Sequence, residues 1–190
     1  MVKKIGIHAL QGNFDQHKKM FDLLGIDNIF IRYPLDFEKC DALVVPGGES
    51  TAMSKQIDRN NLRHTLQEYS KTHSLFGTCA GMILLSSNKE SNNLRPLDIM
   101  DFTVNRNAYG RQIESFSDSL KLNFANGIDF HGLFIRAPKV LKIGKNIKIL
   151  ATYKKQPVMI TDGQHFVTSF HPEIGNDIRV HSYFMEQINA

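Results

Sequence analysis

The sequence predicts an α/β fold: a mostly parallel sheet covered by helices on both faces, with antiparallel strands added in the second half. Three observations carry this. Short apolar strands alternate with helical stretches from residue 4 to about residue 85. Those strands are apolar throughout rather than alternating, as strands buried on both faces are. From about residue 101 the helical pattern stops, and strand patterns separated by short turns replace it.

The elements follow in order. "KIGIHAL" (4–10) reads as a buried first strand, ended by a turn at Gln11-Gly12. "FDQHKKMFDLLG" reads as a helix with Phe14, Phe21 and Leu24 on one face, Asn13 as its N-cap and Gly25 as its stop. "NIFIRY" (28–33) is a second strand closed by Pro34, and "DALVVPGGES" (41–50) a third that runs into a Pro-Gly-Gly turn. One helical stretch over roughly 50 to 70 follows, capped by Ser50. "SLFG" (74–77) is a brief strand, and "CAGMILLSS" a helix starting at or just after Cys79. In the second half "DFTVNRNAYG", "SLKLNFANG", "FHGLFIRAP" and "IKILATYKKQPVMITDGQHFVTSFHPE" read as antiparallel strands or hairpins, one of them turning at Asp162-Gly163. A last amphipathic helix, about 177 to 188, presents Ile178, Phe184, Met185 and Ile188.

Length and composition limit the function classes. The 190 residues suit a single domain, 1–190, and no linker or repeat divides them. A net charge of +4 without a Lys/Arg block argues against nucleic acid as partner. No window approaches a membrane span, and the N-terminus lacks the apolar core of a signal peptide. Two cysteines, Cys40 and Cys79, make no disulfide framework, so a cytoplasmic protein is the economical reading. Close Cys/His ligand pairs are absent, which argues against zinc, and no phosphate-loop lysine follows the Pro-Gly-Gly turn, which argues against a nucleotide; no metal or other cofactor is expected.

The chemistry centres on Gly77-Thr78-Cys79-Ala80-Gly81 between a strand and a helix. Gly-x-nucleophile-x-Gly is the form of a nucleophile elbow, where larger neighbours would clash in the sharp turn. Such a turn exposes its nucleophile at the carboxyl end of the sheet, where open α/β sheets bind ligands, and a helix start favours a thiolate. The pentapeptide alone fits a structural cysteine equally well. A thiolate nucleophile needs a base and a group that orients it. His171 in "FVTSFHPE" ends an apolar strand, and Pro172 holds the chain extended so that Glu173 points the same way. A strand-end histidine beside a solvated glutamate is the alternative. The other seven histidines sit in unremarkable contexts, although His8 replaces an expected apolar residue in the first strand. The Gly47-Gly48 amides of "VVPGGES" are placed to line an oxyanion hole with the amide of Ala80. Cys40 in "FEKCDAL" reads as packing.

Together, "PGGES", "GTCAG" and "HPE" resemble the class I, triad-type glutamine amidotransferases. With "LQGNFDQH", "NRNAYGRQIESF" and "FIRAP" added, nearly the whole chain is similar to the glutaminase subunits of pyridoxal 5′-phosphate synthases. The resemblance implies a flavodoxin-like three-layer sandwich. It implies Cys79 as nucleophile, His171 as base and Glu173 as the residue that orients it. Gly48, Glu49 and Ser50, with Arg106, Ile135 and Arg136, match the glutamine-binding positions. L-glutamine would be hydrolysed to glutamate and ammonia, the ammonia passing to a (β/α)₈ synthase subunit that builds pyridoxal 5′-phosphate. Spacing alone fits an Arg106 or Arg136 that faces solvent or holds a loop. Rival readings are the glutaminase of another amidotransferase, a stand-alone Cys-dependent amidase, or a non-catalytic partner-binding module. A module has no need of Cys79, His171 and Glu173 together.

Overall fold

A computed structural model describes residues 4–88, 94–106, 115–125 and 127–189. Its elements are β1 (Ile5–His8), α1 (Phe14–Leu23), β2 (Asn28–Ile31), a 3₁₀ turn (Pro34–Lys39), β3 (Ala42–Val45), α2 (Ser50–Arg59), α3 (Leu62–Ser70), β4 (Ser74–Thr78) and α4 (Ala80–Leu85). Then come β5 (Phe102–Asn105), β6 (Ser115–Leu120), β7 (Phe130–Ile135), β8 (Lys139–Ile143), β9 (Lys148–Tyr153), β10 (Gln156–Thr161), β11 (Phe166–Thr168) and α5 (Arg179–Asn189). The main sheet has the order β2-β1-β3-β4-β11-β10-β9, with β5–β8 and β6–β7 as separate antiparallel pairs.

Strand alternation divides the core into two layers. In β3, Leu43 and Val45 pack with Met53, Ile57, Leu62 and Leu66 of α2 and α3. Ala42 and Val44 face the other way, toward Phe21 of α1 and Val180 and Phe184 of α5. The result is a helix–sheet–helix sandwich, and it explains why every residue of β1 and β3 is buried.

The expected parallel half is present, with four departures. The helical stretch over 50 to 70 is two helices, broken at Asn60-Asn61, where Asn61 is left-handed (φ 55°). Glu49, not Ser50, caps α2: its carboxylate accepts from the Thr51 and Ala52 amides at 3.0 and 2.6 Å. Asn13 stands at the N-cap of α1, but its side chain makes no cap and is used elsewhere. Finally β11, read from sequence with the antiparallel strands, pairs parallel with β4 and antiparallel with β10. Residues 107–114, which include "NAYGRQIE" of the quoted resemblance, lie outside the described residues. Among the described residues, no helix is long and apolar enough to cross a membrane.

Four parallel strands deliver chain to one place. The segments after β1, β3 and β4 and the segment after β11 all leave the sheet at its carboxyl edge. There they assemble the candidate site.

Candidate active site

Cys79 sits on the turn between β4 and α4 with φ 47° and ψ −100°, a positive φ that a residue with a Cβ rarely adopts. The surroundings hold it there. Its amide donates to the Thr168 carbonyl of β11 at 2.8 Å. The two flanking glycines explain themselves: a Cβ on Gly77 would lie 2.9 Å from the Gly81 carbonyl carbon, and one on Gly81 would strike the Val45 carbonyl. A side chain at either position closes the elbow. Backbone strain of this kind, over-determined by its neighbours, is concentrated at functional sites.

His171 follows β11, and its amide is anchored to the Leu133 carbonyl of β7 at 2.8 Å. Pro172 and Glu173 do not continue as extended chain, as the sequence suggests. They form a turn closed by Ile174 N–H to the His171 carbonyl (3.3 Å), which folds the carboxylate back onto the imidazole. Glu173 Oε1 lies 2.7 Å from His171 Nδ1, and the Cys79 side chain stands beside the same ring, both of them against Gly47. Cys79, His171 and Glu173 are therefore one connected line of side chains, all buried.

Charge in this line follows from its geometry. Burial pulls the His171 imidazole down, but the hydrogen bonds and charges of Cys79 and Glu173 outweigh it and hold His171 up at about 10. For Glu173, burial pushes the carboxyl up, yet the pull of His17 and the hydrogen bond and charge of His171 hold it down at about 2. An imidazolium between a carboxylate and a sulfur is what a thiolate–imidazolium pair requires. Burial pushes the Cys40 thiol up, and its sulfur rests 3.4 Å from Tyr69 Oη and 3.6 Å from the Phe37 carbonyl. Cys40 is packing, as read.

The other expected positions divide. Gly47 covers the pair: a Cβ there would stand 2.4 Å from His171 Cε1 and 3.3 Å from Cys79 Cβ. Its carbonyl accepts from Asn13 N–H at 3.0 Å, so the Gly48 N–H of that trans plane points the opposite way, away from α1. Ala80 is buried directly after Cys79. Ile135 is present through its backbone, its carbonyl 3.6 Å from Cys79 Sγ, and Arg136 follows it in a left-handed conformation (φ 47°), its side chain exposed. Arg106 reaches Thr51 Oγ1 (2.9 Å) and lies 3.6 Å from Glu49 Oε1, which ties the "GGES" loop to the strand end at 105. Ser50 is buried in the first turn of α2.

Sequence reasoning missed four contributors. Asn13 Nδ2 donates to Glu173 Oε1 at 3.3 Å, which is why it does not cap α1. His17, His181 and Thr78 are fully buried behind Glu173. Among the described residues no group of three or more His, Cys, Asp and Glu is arranged to hold a metal ion.

The buried histidines make a prediction about stability. Burial lowers His8 and His17 to about 4, and His181 well below its ordinary value, with Glu173 raising the last two and neighbouring histidines lowering them. A histidine depressed from 6.5 to about 4 is neutral in the folded chain while the unfolded chain takes up the proton. Its contribution is fully present above 6.5 and is lost as pH falls toward 4, about 3 kcal/mol for each such residue. Stability against denaturant should thus fall steeply between pH 6.5 and 4. His8, with both ring nitrogens unpartnered among the described residues, is the clean test. His8→Val should flatten the dependence, and an unchanged slope would remove His8 from the explanation.

Residues 7–190 match the SNO glutamine amidotransferase family. The chain is 42% identical over 188 residues to the pyridoxal 5′-phosphate synthase subunit PdxT of Thermosipho africanus, covering 97% of this chain and 98% of that one. It is 40% identical over 187 residues to the PdxT of Desulforamulus reducens, covering 97% and 98%. A solved structure described as a glutamine amidotransferase superposes with a TM-score of 0.90 at 36% identity, over 98% of this chain and 99% of that one. The structure of PurLQS from Thermotoga maritima shares the fold at 11% identity, with a TM-score of 0.70 over 100% of this chain and 96% of that one.

Proposed function

The chain belongs to the SNO glutamine amidotransferase family, and from that premise we propose how its residues do the work. It is the glutaminase subunit of a pyridoxal 5′-phosphate synthase, supplying ammonia for vitamin B6 synthesis. The substrate is L-glutamine, and the acceptor of the ammonia is a synthase subunit of (β/α)₈ fold. The observation that carries the reading is the buried Cys79–His171–Glu173 line on a strained elbow.

The Cys79 thiolate attacks the side-chain amide carbon of glutamine, and the carbonyl oxygen takes the negative charge. The amide of Ala80 and a donor from the Gly47-Gly48 loop receive that charge. Each such donor is worth about 2.7–4 kcal/mol of transition-state stabilisation. The carbon–nitrogen bond breaks as His171 gives its proton to the leaving ammonia, and a glutamyl thioester remains on Cys79. His171, now neutral, takes a proton from water, which attacks the thioester and releases glutamate. Glu173 keeps the imidazole oriented and stabilises its charged form. Glu49, Ser50, Arg106, Ile135 and Arg136 bound the place where the amino acid end of glutamine lies. Glu49 and the arginines supply opposite charges for its α-ammonium and α-carboxylate.

The test is ammonia release from glutamine, with and without a pyridoxal 5′-phosphate synthase subunit. Release that rises when the synthase is added is expected. A rate indifferent to the synthase contradicts the partner, and no release in either case contradicts the activity.

A further inference from the structure

Among the described residues, only one oxygen of the buried Glu173 carboxylate is served. Oε1 accepts from His171 Nδ1 at 2.7 Å and Asn13 Nδ2 at 3.3 Å, while Oε2 has no hydrogen-bond partner among the described residues. Facing it at 3.6 Å is His17 Nε2, which also lies 3.2 Å from Thr78 Oγ1. The other nitrogen of that ring, Nδ1, is 2.9 Å from His181 Nε2. Glu173, His17 and His181 are all wholly buried, and Phe21 and Phe76 pack edge-on against the histidine rings.

The hydrogens of this pair can be assigned. A carboxylate only accepts, so a hydrogen on the nitrogen facing it is favoured, and the Thr78 hydroxyl oxygen can accept from the same Nε2–H. His17 is then the Nε2–H tautomer, its Nδ1 accepts, and His181 must donate from Nε2. That leaves bare the His181 Nδ1, an atom with no partner among the described residues. The opposite arrangement would aim a lone pair at the carboxylate and leave a buried N–H on His181 unmet, which is the costlier orphan.

We propose that His17, held in its Nε2–H tautomer by His181, is a positioning residue for glutamine hydrolysis, the donor to the second oxygen, Oε2, of the Glu173 carboxylate. It rests on the Cys79–His171–Glu173 reading. At 3.6 Å the contact is long, and hydrogen bonds of this kind tighten when substrate binds. Two neutral imidazoles in series give the carboxylate a donor without placing a second positive charge beside His171. The titratable groups that face one another here are Cys79 from the β4–α4 turn, His171 and Glu173 after β11, His17 from α1 and His181 from α5. With the donor lost, the carboxylate is less stabilised and takes a proton at higher pH, so the imidazolium of His171 loses its partner sooner.

The experiment measures kcat, KM and the pH profile of glutamine hydrolysis in the complex with the synthase subunit, for His17→Phe, His17→Gln and His171→Asn. His17→Phe should lower kcat about ten- to a hundredfold, the worth of a hydrogen bond to a charged group, with KM for glutamine little changed. The acid limb of its profile should move to higher pH. His17→Gln, which restores a donor near the Nε2 position, should recover most of both. A folded His17→Phe with unaltered kcat and profile, or a glutamine variant no better than phenylalanine, overturns the proposal. Near-normal turnover in His171→Asn overturns the triad reading instead. Nitrogen-15 NMR of histidine-labelled wild-type protein requires no variant to fold: Nε2–H on both His17 and His181 is expected, and Nδ1–H on His17 overturns the proposal.

Discussion

Cys79→Ser is expected to abolish glutamine hydrolysis while the fold survives. The substitution is nearly isosteric, and what holds the turn is backbone: the Cys79 amide to Thr168 and the close approach of Gly77 to Gly81. The chemistry does not survive it. An imidazole held up at about 10 suits a partner that ionises readily, as a thiol does. A serine hydroxyl does not ionise near neutral pH, so the variant has neither the attacking anion nor the charge that helps to hold His171 up. Cys79→Ala removes the attacking atom outright. Cys40→Ser should turn over almost normally, since a hydroxyl there can keep the contacts to Phe37 and Tyr69. Ammonia release with the synthase subunit present, beside circular dichroism, separates the cases. Loss of activity in Cys40→Ser with retention in Cys79→Ser would reverse the assignment.

The second large effect is at His171. His171→Asn should cost about two to four orders of magnitude in turnover, the range general acid–base catalysis contributes. In the proposed mechanism the same residue gives a proton to the leaving ammonia and takes one from water. Glu173→Gln should be milder in rate but distinctive in pH dependence. Removing the carboxylate removes a hydrogen bond and a charge that raise His171, so burial, which lowers it, gains weight. The imidazolium is then lost at lower pH, and the alkaline limb of kcat/KM moves down. An alkaline limb that stays in place would show that Glu173 does not set the charge of His171.

Much of the site was legible because its parts are local. The elbow is five consecutive residues, and the histidine and its carboxylate are two apart. The turn at Pro172 inverted the expected path of the chain without changing its outcome, because either path brings Glu173 to His171. What sequence hid is long-range or lacks the usual turn residues. The β9–β10 turn uses Lys154 and Lys155, both with positive φ (47° and 65°), where glycine or asparagine would have announced it. β11 looked like one more antiparallel strand, because pairing with β4 across some 90 residues leaves no local trace. The buried histidines did leave one. His17 shares the α1 stripe with Phe14, Phe21 and Leu24 at helical spacing, and His181 stands three residues before Phe184 on α5. A histidine on an apolar stripe is buried, and a buried imidazole has a partner to be looked for. Asn13 was read as a cap from its position, and only the fold shows that its side chain goes to Glu173.

The most direct measurement is to quench the complex with acid during glutamine turnover, digest it, and find by mass spectrometry which cysteine carries a glutamyl group. The expected result is a glutamyl thioester on the peptide containing Cys79 and none on the peptide containing Cys40. A glutamyl group on Cys40, or steady ammonia release from a Cys79→Ala variant, would contradict it.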